Sequence, residues 1–354
     1  MLWSIAFCMM CCALCGVLVA CSSDEDDTPD DNQGSKLNLV SCTRGIETNH
    51  TFDNNTKLWL ALTSGTTKES EGSYTYNSIT EKWTRTNGIT VKEAKQYYLY
   101  GAISPTGSLN CNITSTDYSK GATLTISGVS SMLEDSQVPC VVVGARGVID
   151  PTTTWDVTEG SFGYMGILKK GEDNAQLLLN RLYAGLTFSF SIDPGYATLR
   201  TIKLTSLKLK ASASTYAKVD LTVVLEATTN GTSPIKSVSA TATSTSTAAV
   251  EDVPLFNYSE GWDISTPLPN GVSMGTACFA SSIASNLSVE CEYNVYDKAG
   301  NNLGVRTAVN SLSNVISAGS LLQGQKRTIN LNVVPTYLYI LSDADLDNPV
   351  ITVN

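Results

Sequence analysis

The chain has 354 residues, enough for two domains with separate cores; only 16% of them are charged and the formal net charge is −10. That balance excludes a nucleic-acid binder, which needs a Lys/Arg stripe to neutralise phosphates, and no basic amphipathic segment marks a peripheral membrane surface. The single histidine, His50, lies in the polar stretch from Glu47 to Thr51 and reads as an exposed loop residue, so a His-based triad or a multi-histidine zinc site is unsupported.

From the start, Leu2 to Ala20 is almost wholly apolar and ends Leu18-Val19-Ala20-Cys21. An apolar h-region closed by small residues is the pattern of a secretory signal, here residues 1–20. The alternative is a membrane-spanning helix, since the run is nearly long enough. The Cys at its end and the abrupt polar segment behind it favour the bacterial lipobox, in which Cys21 is acylated and becomes the new N-terminus. Residues 21–35 then read as a solvated, acidic tether, with Asp24-Glu25-Asp26-Asp27 close behind the lipid. That run also resembles the export tag that carries Bacteroidetes lipoproteins to the outer surface. Both readings put the folded part outside the membrane.

Short strand-like segments follow at close intervals. In the first half they are Lys36–Cys42 (Leu37, Leu39, Val40), Lys57–Leu62, Tyr97–Ile103, Ala122–Ile126, Val138–Val143 and Tyr164–Leu168. Asn87-Gly88, Pro105-Thr106-Gly107 and Lys120-Gly121 punctuate them as turns. Leu177–Ile192 reads as one long apolar stretch ended by the turn Asp193-Pro194-Gly195. Then come Thr201–Leu209, Tyr216–Leu225, Cys278–Ala280, Leu287–Tyr296, Leu303–Val309, Arg327–Val334, Tyr337–Leu341 and Val350–Val353. Many short strands with frequent turns predict an all-β sandwich class. The polar run Lys169–Asn174 suggests a boundary, giving domains at 36–173 and 174–354, and the Ser237–Ala249 tract is read as an exposed strand pair or long loop inside the second.

The chemistry-bearing patterns are missing. There is no Walker A loop, GxSxG elbow, HExxH helix or Rossmann fingerprint. Asp343-Ala344-Asp345-Leu346-Asp347 opens like a calcium loop but has Asn348 for the turn glycine and Asn354 for the bidentate Glu. Beyond the signal and Cys21 stand five widely spaced cysteines, Cys42, Cys111, Cys140, Cys278 and Cys291, which read as small buried hydrophobes with room for one or two bridges. Trp59, Trp83, Trp155 and Trp262 read as core packing, with a sugar-stacking platform as the alternative. No enzyme, metal or cofactor is expected.

Three stretches together resemble the fimbrillin family of Bacteroidales pilus subunits: LNLVSCTRGIETNHTFDNNTKLWLAL at Leu37–Leu62, Tyr74–Pro105 with EKWTR and QYYLYGAISP, and LLLNRLYAGLTFSF at Leu177–Phe190. The late QGQKRTINLNV at Gln323–Val333 fits as well. The resemblance implies two tandem transthyretin-like β-sandwich domains of Greek-key type. It implies a lipoprotein carried to the outer membrane, then a cut after Arg44, before Gly45, by an arginine-specific surface protease. The cut would remove a first strand holding Leu37, Leu39 and Val40; an ordinary loop arginine is the other reading of Arg44. At ~1.5–3 kcal/mol per buried side chain, losing three costs roughly 5–9 kcal/mol and opens a β-augmentation groove. A neighbour's tail would fill it, with candidates Tyr337, Tyr339 and Leu341 or Val350, Ile351 and Val353. Head-to-tail exchange does not close, so a fibre results. Partners would be other copies or related subunits, with host or bacterial surface ligands beyond. A tip or anchor subunit, or a lipid-anchored glycan-binding protein of a polysaccharide-uptake system, are the alternatives.

Overall fold

A computed structural model describes residues 35–44, 52–91, 97–104, 110–148, 167–168, 174–212, 217–226, 233–243, 250–316, 321, 323–337 and 344–353. Among these the chain is nearly all β, with 23 strands in five sheets and one short α-helix. Numbered along the chain, the largest sheet runs β2 (Asn38–Arg44), β13 (Asn174–Arg181), β11 (Cys140–Val148), β12 (Ile167–Leu168), β7 (Tyr97–Ser104), β3 (Lys57–Ser64), β4 (Thr67–Asn77) and β5 (Lys82–Asn87). Facing it is a four-stranded sheet of β17 (Ile235–Ala242), β16 (Lys218–Glu226), β9 (Gly121–Ser130) and β8 (Cys111–Thr114). A second sandwich pairs five strands, β10 (Met132–Glu134), β19 (Ala277–Phe279), β14 (Ala184–Ile192), β22 (Lys326–Tyr337) and β23 (Ala344–Val353), with four, β18 (Val253–Asp263), β15 (Arg200–Ala211), β20 (Leu287–Asp297) and β21 (Asn302–Ser311). β1 (Ser35–Lys36) and β6 (Thr90–Val91) make a small antiparallel pair.

The middle of the largest sheet is buried on both faces, and its sequence says why it can be. β3 reads Leu58-Trp59-Leu60-Ala61-Leu62, a continuous apolar run in which alternate residues serve different cores. Trp59 and Ala61, with Tyr100, Val141 and Leu178, pack against Leu124, Leu221 and Val223 of the facing sheet. Leu58, Leu60 and Leu62 turn the other way, toward Tyr74, Leu99, Val142, Leu177 and Leu179. This second face is covered because the sheet curls: its two edge strands, β2 and β5, come within 8 Å of each other at Cα. Gly101 marks the tightest crossing, since a Cβ there would stand 2.4 Å from the Leu60 side chain and 2.5 Å from the Trp59 carbonyl.

Sheet membership crosses residue 173 in both directions. β13 lies in the largest sheet beside β2 and β11, β16 and β17 complete the sheet of β8 and β9, and β10 joins β19. The stretch read as one strand from Leu177 to Ile192 breaks at Leu182-Tyr183, where the chain passes from the first sandwich into the second. Of the Ser/Thr tract, residues up to Ala242 form the exposed edge strand β17, whose partners come from the first half of the chain. Asp193 turns out to cap a helix, Pro194–Leu199: its carboxylate accepts the Tyr196 N–H at 2.8 Å, and proline at the first position suits the first turn. No helix among the described residues is long and apolar enough to cross a membrane.

Candidate functional site: the seat of the first strand

β2 lies at an edge of the curled sheet and is held on one side only by a ladder. It pairs with β13 in parallel, from Asn38 opposite Asn174 to Arg44 opposite Leu179, with a register break that leaves Val40 unpaired. Its other flank faces β5 without pairing. Leu37 is fully buried and Leu39 is 9% exposed, both in the cluster of Leu58, Tyr74, Ile89 and Leu177, while Asn38 between them faces out. The alternation seen in the sequence therefore points two leucines into a core that β2 itself closes. Just ahead of β2 the Leu37 N–H donates to the Ile89 carbonyl (2.9 Å), and the Tyr74 hydroxyl donates to the Leu37 carbonyl (2.8 Å). Val40 and Arg44 are placed here as strand backbone; Cys21, Gly45 and His50 lie outside the described residues.

The tail candidates divide. Tyr337 ends β22, and Tyr339 and Leu341 lie outside the described residues. β23 runs antiparallel to β22, with Ile351 opposite Val333 and Val353 opposite Leu331. Ile351 is buried in the second sandwich's core, Val353 packs against it half-buried, and Val350 faces solvent. The Tyr293 hydroxyl donates to the Pro349 carbonyl at 3.0 Å, and burial pushes that phenol up to about 12, keeping it a donor. The tail is thus seated within its own chain. Residues 344–353, which begin inside the calcium-like pattern, are strand here.

The tryptophans among the described residues pack. Trp59 belongs to the first sandwich's core, and Trp83 is half-buried in an aromatic triad with Phe52 and Tyr76, ring centroids 5.2 Å away in each case. Trp262, the residue on which a stacking platform would rest, is only 8% exposed; its ring meets Phe190 edge-on at 5.9 Å and its indole N–H donates to the carbonyls of Thr266 and Pro267. Trp155 lies outside the described residues. Trp262→Phe is expected to lower stability by about 1–2 kcal/mol, through lost volume and the lost indole donor, as read by urea unfolding. An unchanged midpoint would argue that this ring is not part of the core.

Cys111, Cys140, Cys278 and Cys291 are free thiols. Burial pushes Cys111 and Cys291 up to about 12, so they are poor nucleophiles; Cys291 is a small core residue, and Cys111, half-buried, packs against the first sandwich's core. No cluster of three or more metal-ligating side chains occurs among the described residues.

One polar cluster carries no sequence signature. Arg181, at the end of β13 and 7% exposed, forms an ion pair and hydrogen bond with Asp135, just after β10. Lys326, opening β22, stands 3.4 Å from the same carboxylate, and the Cys278 thiol of β19 donates to it at 3.4 Å. Burial pushes the Asp135 carboxyl up, but the Arg181 and Lys326 cations outweigh it and hold it below the usual carboxylate value. Three strands, β13 of the first sandwich and β19 and β22 of the second, meet on this one side chain.

No protein-family model and no curated protein matches the sequence. Among solved structures, a fimbrial protein from Bacteroides vulgatus is 11% identical, covering 91% of this chain and 98% of its own, with a TM-score of 0.44. A fimbrilin from Porphyromonas gingivalis is 14% identical over 91% of this chain and 97% of its own, with a TM-score of 0.37. Neither likeness assigns a role to any residue here.

Proposed function

We propose that this chain is a structural subunit of a surface fibre. In this reading it is exported as a lipoprotein on Cys21, matured by a cut between Arg44 and Gly45, and assembled by strand exchange between copies or related subunits. The observation that carries the reading is the seat of the first strand. β2 is an edge strand laddered on one side only, its Leu39 and the Leu37 just ahead of it are buried in the core on the sheet's inner face, and the proposed cut falls at its last residue. Removing it would bare the β13 edge and a leucine-lined slot, the kind of surface that accepts an added strand. The tail β23 is the proposed donor, with Ile351 and Val353 as its inward residues. A trypsin-like protease acting on the purified chain is expected to yield a product beginning at Gly45 that forms SDS-resistant ladders, and Arg44→Ala is expected to abolish both. Equal assembly by Arg44→Ala would remove the maturation step from this account.

A further inference from the structure

Leu37 is held differently from the rest of the first strand. From Asn38 onward the backbone is laddered to β13, whose ladder any extended segment could satisfy at several registers, because a slip of two residues restores the same faces. At Leu37 the segment is held otherwise: its N–H meets the Ile89 carbonyl in continuation of the antiparallel pairing of β1 with β6, its carbonyl meets the Tyr74 hydroxyl, and its side chain is fully buried. Tyr74 is itself 1% exposed and Ile89 fully buried, so neither group can turn to water if its partner is missing. One residue of the occupying strand is therefore read at three points at once.

We propose that Tyr74, with the Ile89 carbonyl, is the positioning device that fixes the register of whatever strand fills this slot, and that the tail of a second copy must seat there an apolar residue with a free N–H. The proposal rests on the strand-exchange reading and adds its specificity rule. Pro349 carries the carbonyl that Tyr293 grips within the chain, yet it has no N–H to give the Ile89 carbonyl. The tail therefore cannot enter the slot with Pro349 at the Leu37 position, and Ile351 is the nearest inward residue that meets the rule.

The test uses the full chain cut at Arg44 and challenged with a labelled synthetic peptide of residues 35–44. Tyr74→Phe is expected to weaken peptide binding roughly five- to thirtyfold. An ester in place of the Leu37–Asn38 amide, which makes the carbonyl a poorer acceptor, is expected to weaken binding to the unaltered protein and to cost much less in Tyr74→Phe. A merely structural role for Tyr74 would leave that ester penalty unchanged, and an equal penalty in both proteins overturns the proposal. N-methylation at Leu37 needs no protein variant and is expected to cost at least fivefold; full tolerance of it overturns the Ile89 half of the rule. If the cut, unaltered chain takes up no peptide at all, strand exchange itself fails and the specificity rule with it, an outcome distinct from the other two.

Discussion

A Leu37→Asp chain is expected to release its first strand without any cut. The Leu37 side chain is fully buried among Leu58, Tyr74 and Ile89, with no cation among those neighbours. An aspartate there must stay neutral, and keeping a carboxyl of unfolded pKa about 3.9 protonated at neutral pH costs about 4 kcal/mol. Lifting the strand out forfeits the burial of Leu39, about 1.5–3 kcal/mol, and its ladder bonds, which water largely replaces. It also returns backbone entropy of about 1–2 kcal/mol for every residue freed. Unseating is therefore the cheaper response. The β13 amides between Gln176 and Leu179 that face β2 should lose hydrogen-exchange protection while those facing β11 keep it, and SDS-resistant oligomers should form without protease. Asn38→Asp, one residue on and facing solvent, should change stability by no more than about 0.5 kcal/mol. Retained protection in Leu37→Asp, with a monomeric chain, would mean that β2 is not a separable plug.

Part of this site could be read directly from the residues. The alternation of Leu37 and Leu39 is local, and so is the apolar run at Lys57–Ser64, so both strands stand where the pattern puts them. What β2 pairs with was not legible, because its partner β13 lies far along the chain and parallel pairing leaves no local mark. The run Leu-Trp-Leu-Ala-Leu signals a buried strand, but only the curl of the sheet tells that its two faces serve separate cores. The passage at Leu182-Tyr183 hides in a stretch that is apolar on both sides, and the alternating Ser/Thr pattern of Ile235–Ala242 would suit either sandwich equally. Tryptophan shows the same limit: composition leaves core and platform open, and only the neighbours of Trp262 decide for core. Tyr74 reads as one more strand aromatic, since nothing in the sequence says whose carbonyl its hydroxyl meets.

Asp135 is the least legible residue of all, a single acid in the turn Glu134-Asp135-Ser136, and its removal is expected to have a large effect on stability. Asp135→Ala takes from the Arg181 guanidinium, 7% exposed, the carboxylate it is paired with here. Deleting one partner of a buried pair typically costs about 3–5 kcal/mol because the remaining charge cannot be hydrated; the one-quarter exposure of the Asp135 side chain puts the expectation toward the lower figure. Acid should reproduce the loss. The folded-state carboxyl titrates below its unfolded value of about 3.9, so the pair's stabilisation is complete above that pH and is lost as pH falls through the lower, folded value. The difference in unfolding free energy between the unaltered chain and Asp135→Asn should be widest near neutrality and should shrink below about pH 4. Because the cluster joins β10, β13, β19 and β22, the damage should show first at the passage between the sandwiches, as faster exchange of the Leu182 amide that bonds the Pro139 carbonyl at 2.9 Å. A gap between the two proteins that stays constant from pH 7 to pH 3 would mean that Asp135 acts through packing and not through its charge.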